Sequence, residues 1–362
     1  MEKTLTVKKE RYIFIDILKI LCCFLVIVNH TNSRIFGNVV SLEDGMSLTY
    51  LLSMAYFYLS RLAVPIFFMI SGALLLNRDR SIKDIVKNKL AKFVLIVVLF
   101  SMGYYIYNAI RWGVNIWHPS YILEFFQTIY HEHYTNAYWF LYSYIGLLIL
   151  LPILRKMVSS FSKKDYHYLF GIYLIFQCIC PIMERILNID PMSEFINRIF
   201  FDEIIIYFIL GHYLINVHKM EKYSKGKLIG AIGIIAIYII AACLYTIVHL
   251  KNTGAYDLIF ANTATIIRIL PCICLIYIIK HITSKIHIKE KIEKAIVWTS
   301  QCTLGIYLIS DLIIDITEGK YEVLALHIPT MIAMIVWEVA IFIAGVLAIS
   351  IAKRIPGLKK LL

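Results

Sequence analysis

Charge is what this sequence has least of. Only 17% of its 362 residues are Asp, Glu, Lys or Arg while 60% are hydrophobic, whereas soluble domains carry about 25% charge. With a mean hydropathy of +0.74, a soluble globular protein is excluded. Cysteine is absent from the loops. Cys22, Cys23, Cys178, Cys180, Cys243, Cys272, Cys274 and Cys302 all lie in apolar runs, which excludes a disulfide framework and suits thiols used as small hydrophobes. The Cys-x-Cys pairs lack companion histidines, and His131-Glu132-His133 lacks zinc-site spacing, so no metal is expected. No small-residue cleavage site follows the basic N-terminal flank, so the first apolar run reads as a retained helix. Long polar segments are missing too, and residues 1–362 read as a single transmembrane domain.

What is present is apolar length. A helix crosses the hydrocarbon core with about 20 residues, and the runs predict an all-α polytopic bundle of about ten spans. They fall at 12–33, 51–76, 92–111, 137–154, 166–184, 199–217, 228–249, 258–280, 295–315 and 325–352. With the N-terminus inside, the cytoplasmic segments 1–11, 77–92, 155–165, 218–227, 280–294 and 353–362 hold 27 of the 36 lysines and arginines. A miscount by one span would destroy this alternation, so both termini are expected in the cytoplasm. The net charge of +12 then needs no nucleic-acid partner, because a basic cytoplasmic face lies against anionic lipid. Segment 112–136, with Trp112, Trp117, His118 and Tyr130, reads as an aromatic belt or a lid.

Function is sought where charge enters the hydrocarbon, since ionised groups there need a partner or a polar cavity. The first span carries Asp16, Lys19 and His30. Asp16 and Lys19 are three apart and close enough to pair. Lys19 and His30 are eleven apart, which returns them to within about 20° of one face but roughly 16 Å apart along the axis. They line one groove without touching. Arg61 opens a stretch in which Pro65 bends the helix and Ser71-Gly72 offers a packing surface. Arg268, expected eleven residues into the eighth span, needs an acid or an anion, with Asp202, Glu203, Asp311 and Glu338 as candidates.

The run from Asp16 to Asn29-His30 resembles the opening helix of the acyltransferase-3 family of integral membrane acyltransferases. Three further stretches are similar to the same family: Arg61–Leu76 with its Val-Pro-Ile-Phe-Phe-Met-Ile-Ser-Gly core, Tyr138 through Pro152, and Leu304-Gly305-Ile306-Tyr307-Leu308-Ile309. The resemblance implies ten spans and an arginine followed eleven positions later by an essential histidine. Here Lys19 stands at the arginine position, keeping the charge but losing the bidentate fork. Ser310 stands where the ninth-span stretch often ends in histidine.

The resemblance further implies transfer of an acyl group, acetyl foremost, from cytoplasmic acyl-CoA to a hydroxyl of an extracytoplasmic or lipid-linked glycan. Acetyl-CoA is then a donor substrate, and no tightly bound cofactor is expected. His30 is the expected general base, with Asp16 and Lys19 organising the donor side. Arg61, Arg78, Arg80, Lys83 and Arg268 are the candidates for binding the donor or stabilising oxyanion charge. The expected location is a bacterial plasma membrane, with lipids as partners and a homodimer left open. The rival reading is a transporter or flippase for a glycan precursor or small anion, with the buried charges lining its path. Thioester cleavage that depends on His30 separates the two.

Overall fold

The computed structural model describes residues 12–39, 47–78, 81–113, 119–187, 189–193, 202–220, 224–255, 257, 259–261 and 266–362. It is a helical bundle, and eight helical segments are long and apolar enough to cross a membrane. The first is α1 (Ile13–Val39). The helices α2 (Leu48–Ser60) and α3 (Ala63–Leu75) together make the second. Then come α4 (Ile82–Trp112), the short α5 (Pro119–His131), α6 (Trp139–Ser160) and α7 (163–187). The shorter α8 (Glu203–Val217) and α10 (Ile269–Lys285) flank α9 (Lys225–Thr253). After them run α11 (Glu290–Ala325), α12 (Thr330–Ala352) and the terminal α13 (Pro356–Leu361).

Side-chain caps start several helices. Ser47, Ser81, Ser162, Asp202 and Ser224 each accept a hydrogen bond from a backbone N–H in the first turn of α2, α4, α7, α8 and α9, satisfying donors that the helix leaves open. The long helices carry apolar stretches of membrane-spanning length. On α9, Ile229, Ile237, Ile240 and Leu244 are exposed, and on α12 so are Ile343, Leu347 and Ile351. Such a surface is stable only against lipid.

At the centre α3 lies against α8, backbone to backbone. A Cβ on Gly72 would run into the carbonyl of Phe208, and one on Gly211 would run into that of Met69. Close approach of this kind replaces the hydrophobic drive that lipid removes between membrane helices. The α1 helix packs on α2, α3, α10, α11 and α12, and Leu18, Cys22, Cys23 and Val28 along it are buried. Six of the eight cysteines are buried, in keeping with thiols that fill space.

Several expectations are corrected. The segment 51–76 is not one bent helix but two, broken at Arg61-Leu62. Pro65 has no N–H to give the carbonyl four residues back, which is that of Arg61. The eighth helical segment starts later than expected, so Arg268 caps the start of α10 instead of lying eleven residues inside a helix. The α11 helix has 36 residues, about 54 Å at 1.5 Å per residue, and so runs well beyond the expected 295–315. Part of the 112–136 segment forms the helix α5, tethered by Tyr142 and Tyr105 hydroxyls that donate to the carbonyls of Ile129 and Tyr121. Trp117, His118 and Arg80 lie outside the described residues.

Candidate active site

The site grows from α1. Near its start Asp16 is buried and accepts a hydrogen bond from the Ser300 hydroxyl of α11 (2.6 Å). Near its other end His30 Nδ1 lies 3.2 Å from Asp311 Oδ1, also of α11. The next residue, Thr31, donates to Glu338 Oε1 of α12 (2.7 Å), and Tyr56 of α2 donates to Glu338 Oε2 (2.8 Å). Two carboxylates thus lock adjacent positions of α1 to neighbouring helices. Of the acids proposed for Arg268, Asp311 and Glu338 are committed elsewhere.

The turn of α11 that bears Asp311 is itself clamped. Tyr138 donates its hydroxyl hydrogen to the Leu308 carbonyl (2.9 Å), and the Leu312 N–H donates to the Tyr104 hydroxyl (2.9 Å). These two backbone groups are four residues apart, the spacing of one helical rung. Both tyrosine rings are buried, in edge contact 5.6 Å apart. Asp311 is therefore carried on a turn of α11 that two tyrosine hydroxyls hold in place.

Two cavities open on this framework. One of about 350 Å³ is lined by Lys19, Ser71, Arg78, Lys89, Tyr144 and Gln301 among others. These residues fall toward the membrane face at which α1 starts. The other, of about 650 Å³, is lined by Asn29, His30, Arg61, Asn136, Arg185, Asp257 and Arg268 among others. These residues sit at helix ends on the opposite face or at the α2–α3 break. Val26, Val64, Phe140 and Tyr307 line both cavities. A waist of four side chains separates the two, and Tyr307 is fixed there by a hydrogen bond from its hydroxyl to the Ala137 carbonyl.

The broken second span explains Arg268. Its Nη1 donates to the Arg61 carbonyl (2.8 Å), the group that Pro65 leaves without a backbone donor. Arg268 is 1% exposed, and its Nε and Nη2 have no hydrogen-bond partner among the described residues. Arg61 stacks on the Phe57 ring (4.6 Å), and among the described residues its Nε likewise has no hydrogen-bond partner. On the other side of the waist, the Nε of Arg78 is buried with no hydrogen-bond partner among the described residues.

Of the residues singled out from sequence, His30, Arg61 and Arg268 meet at the larger cavity, and Lys19 and Arg78 at the smaller. Asp16 lies beside the smaller cavity through Ser300, which lines it. Lys83, in the first turn of α4, lines neither.

A family model described as an acyltransferase domain matches residues 12–354. The chain belongs to the acyltransferase-3 family. No curated protein and no solved structure matches it. This family member is thus a membrane-bound acyltransferase with an acyl-CoA-type donor. Sequence reasoning had weighed Asp311 only as a partner for Arg268. One signal was available: Asp311 directly follows Ser310, the position at which the resemblance leads one to look for a histidine. The acyltransferase's tyrosine clamp left no such mark, because tyrosines in apolar runs look like interface aromatics.

Proposed function

We propose that this acyltransferase moves a small acyl group, acetyl foremost, from cytoplasmic acyl-CoA to a hydroxyl of a cell-envelope glycan, with His30 as general base. The observation that carries this reading is the His30–Asp311 pair at 3.2 Å on the wall of a large cavity, one waist away from a basic cavity on the other face. A carboxylate on Nδ1 selects the tautomer in which Nε2 is the basic nitrogen. Nε2 takes the proton of the acceptor hydroxyl as its oxygen attacks the thioester carbonyl carbon. The carbon–sulfur bond breaks, and the departing thiolate recovers the proton from the imidazolium. An ester and free CoA leave, and His30 returns neutral.

In this reading the ends of the chain face the cytoplasm, the membrane is a bacterial plasma membrane, and α8 and α10 complete ten crossings. The smaller cavity receives the donor. Lys19, Arg78 and Lys89 at that cavity meet its phosphates, with Arg80 and Lys83 on the adjoining segment. The pantetheine arm is thin enough to reach the waist, and side chains as large as Phe140 and Tyr307 there favour a short acyl group. The test uses purified, reconstituted protein with acetyl-CoA and a glycan acceptor. His30→Ala should lower transfer by about 10³-fold and leave the detergent-solubilised protein monodisperse. Transfer persisting in that variant would remove His30 from the reaction.

A further inference from the structure

Among the described residues, the larger cavity holds two guanidinium groups without a carboxylate partner. His30 faces Asp311, and Arg185 is paired with Asp257, which the Tyr245 hydroxyl also supports (2.6 Å). Arg61 and Arg268 have no such partner. Among the described residues no carboxylate lies within ion-pairing distance of either guanidinium, and Glu203 acts on Arg268 only through space. An arginine stays charged under any condition of life, so burial cannot be relieved by losing a proton. Arg268 spends one N–H group on the Arg61 carbonyl, and its Nε and Nη2, with Arg61 Nε, remain without acceptors. N–H groups of a fixed cation that lack acceptors in the protein favour a ligand that supplies them.

We propose, resting on the transfer reading above, that Arg61 and Arg268 bind an oxyanion on the acceptor, a carboxylate or a phosphate, and that the acceptor is therefore an acidic glycan. The arginines and His30 line one cavity of about 650 Å³, within the roughly 300–1,000 Å³ of small-molecule sites and large enough for a charged sugar. The guanidinium fork matches an oxyanion through two parallel hydrogen bonds, which orients the sugar as well as holding it. The assignment departs from a donor role for these two arginines. They lie across the waist from Arg78 and Lys89, and binding the donor's phosphates there would carry the thioester past His30.

Binding can be measured apart from catalysis. In nanodiscs, the His30→Ala protein is titrated with methyl glucoside, methyl glucuronide, glucose 6-phosphate and CoA. At least one of the two anionic sugars should bind about tenfold or more tighter than the neutral one. Preference for the glucuronide would identify a uronate acceptor, and preference for the sugar phosphate a phosphorylated one. Arg61→Gln should abolish that preference while CoA affinity holds, and Arg61→Lys should restore it in part. Arg61 is the primary variant because, among the described residues, its side chain makes no hydrogen bond, whereas that of Arg268 holds the Arg61 carbonyl. Equal affinity for all three sugars would overturn the proposal. So would a loss of CoA affinity in Arg61→Gln, which would make the pair a donor site. Failure of the transfer reading would show differently, as a wild-type protein that does not cleave acetyl-CoA with any acceptor.

Discussion

The two cavities differ less in how many charges they hold than in why the charges are there. At the smaller one, Lys19, Arg78 and Lys89 stand near the basic face, where the positive-inside rule alone places lysine and arginine. At the larger one, Arg61 and Arg268 lie among packed helices with N–H groups left unanswered. The first set is explained by topology and gains a ligand role only from its cavity. The second set has no topological reason to exist. In a membrane protein, a charge far from its expected face carries more functional information than a cluster on it.

The largest expected effect removes both cavities together. Helix α3 contributes Arg61's neighbour Val64 to one wall and Ser71 to the other, and it is seated on α8 through Gly72. Gly72→Leu should separate the two backbones and cost more than the roughly 1–3 kcal/mol of ordinary overpacking. Thermal unfolding in detergent checks this, and a protein of wild-type melting temperature would show that the seat is not essential.

A second substitution should sever the cavities while sparing each. Val64→Trp fills the waist, and transfer should fall on the order of 10²-fold or more because the thioester can no longer reach His30. CoA binding, measured by titration, should survive. If transfer continues, donor and acceptor meet by another route.

Acting on the larger cavity alone, Asp311→Asn should lower kcat by about 10²-fold with both KM values held, since Asn cannot stabilise the imidazolium. Asp311→Glu should recover part of the loss. A change confined to KM would assign Asp311 to binding.

The smallest effect belongs to the smaller cavity. Arg78→Gln should raise the KM for acyl-CoA about tenfold and leave the acceptor KM in place, as expected for one charge-assisted contact among several. Steady-state kinetics with varied donor tests it. An effect on the acceptor KM would erase the distinction between the two cavities.

Hydrophobic length and the distribution of lysine and arginine were enough to read a multi-span helical membrane domain from the chain, because lipid allows a spanning backbone few solutions. That Lys19 and His30 share a face of the first helix was legible for a related reason. A helix has a fixed period, so residues eleven apart must share a face. Partners were not legible. Nothing in the sequence pairs His30 with Asp311 across 281 positions, or gives Arg268 to the carbonyl that Pro65 strands four residues back. Those contacts depend on which helices become neighbours. The sequence by itself determined that the chain is a helical bundle with several membrane spans and which residues bring charge into its apolar runs. Only tertiary packing decided which charges are answered and which are left facing a cavity, because a hydrogen bond is a matter of ångströms between elements that the chain order leaves far apart.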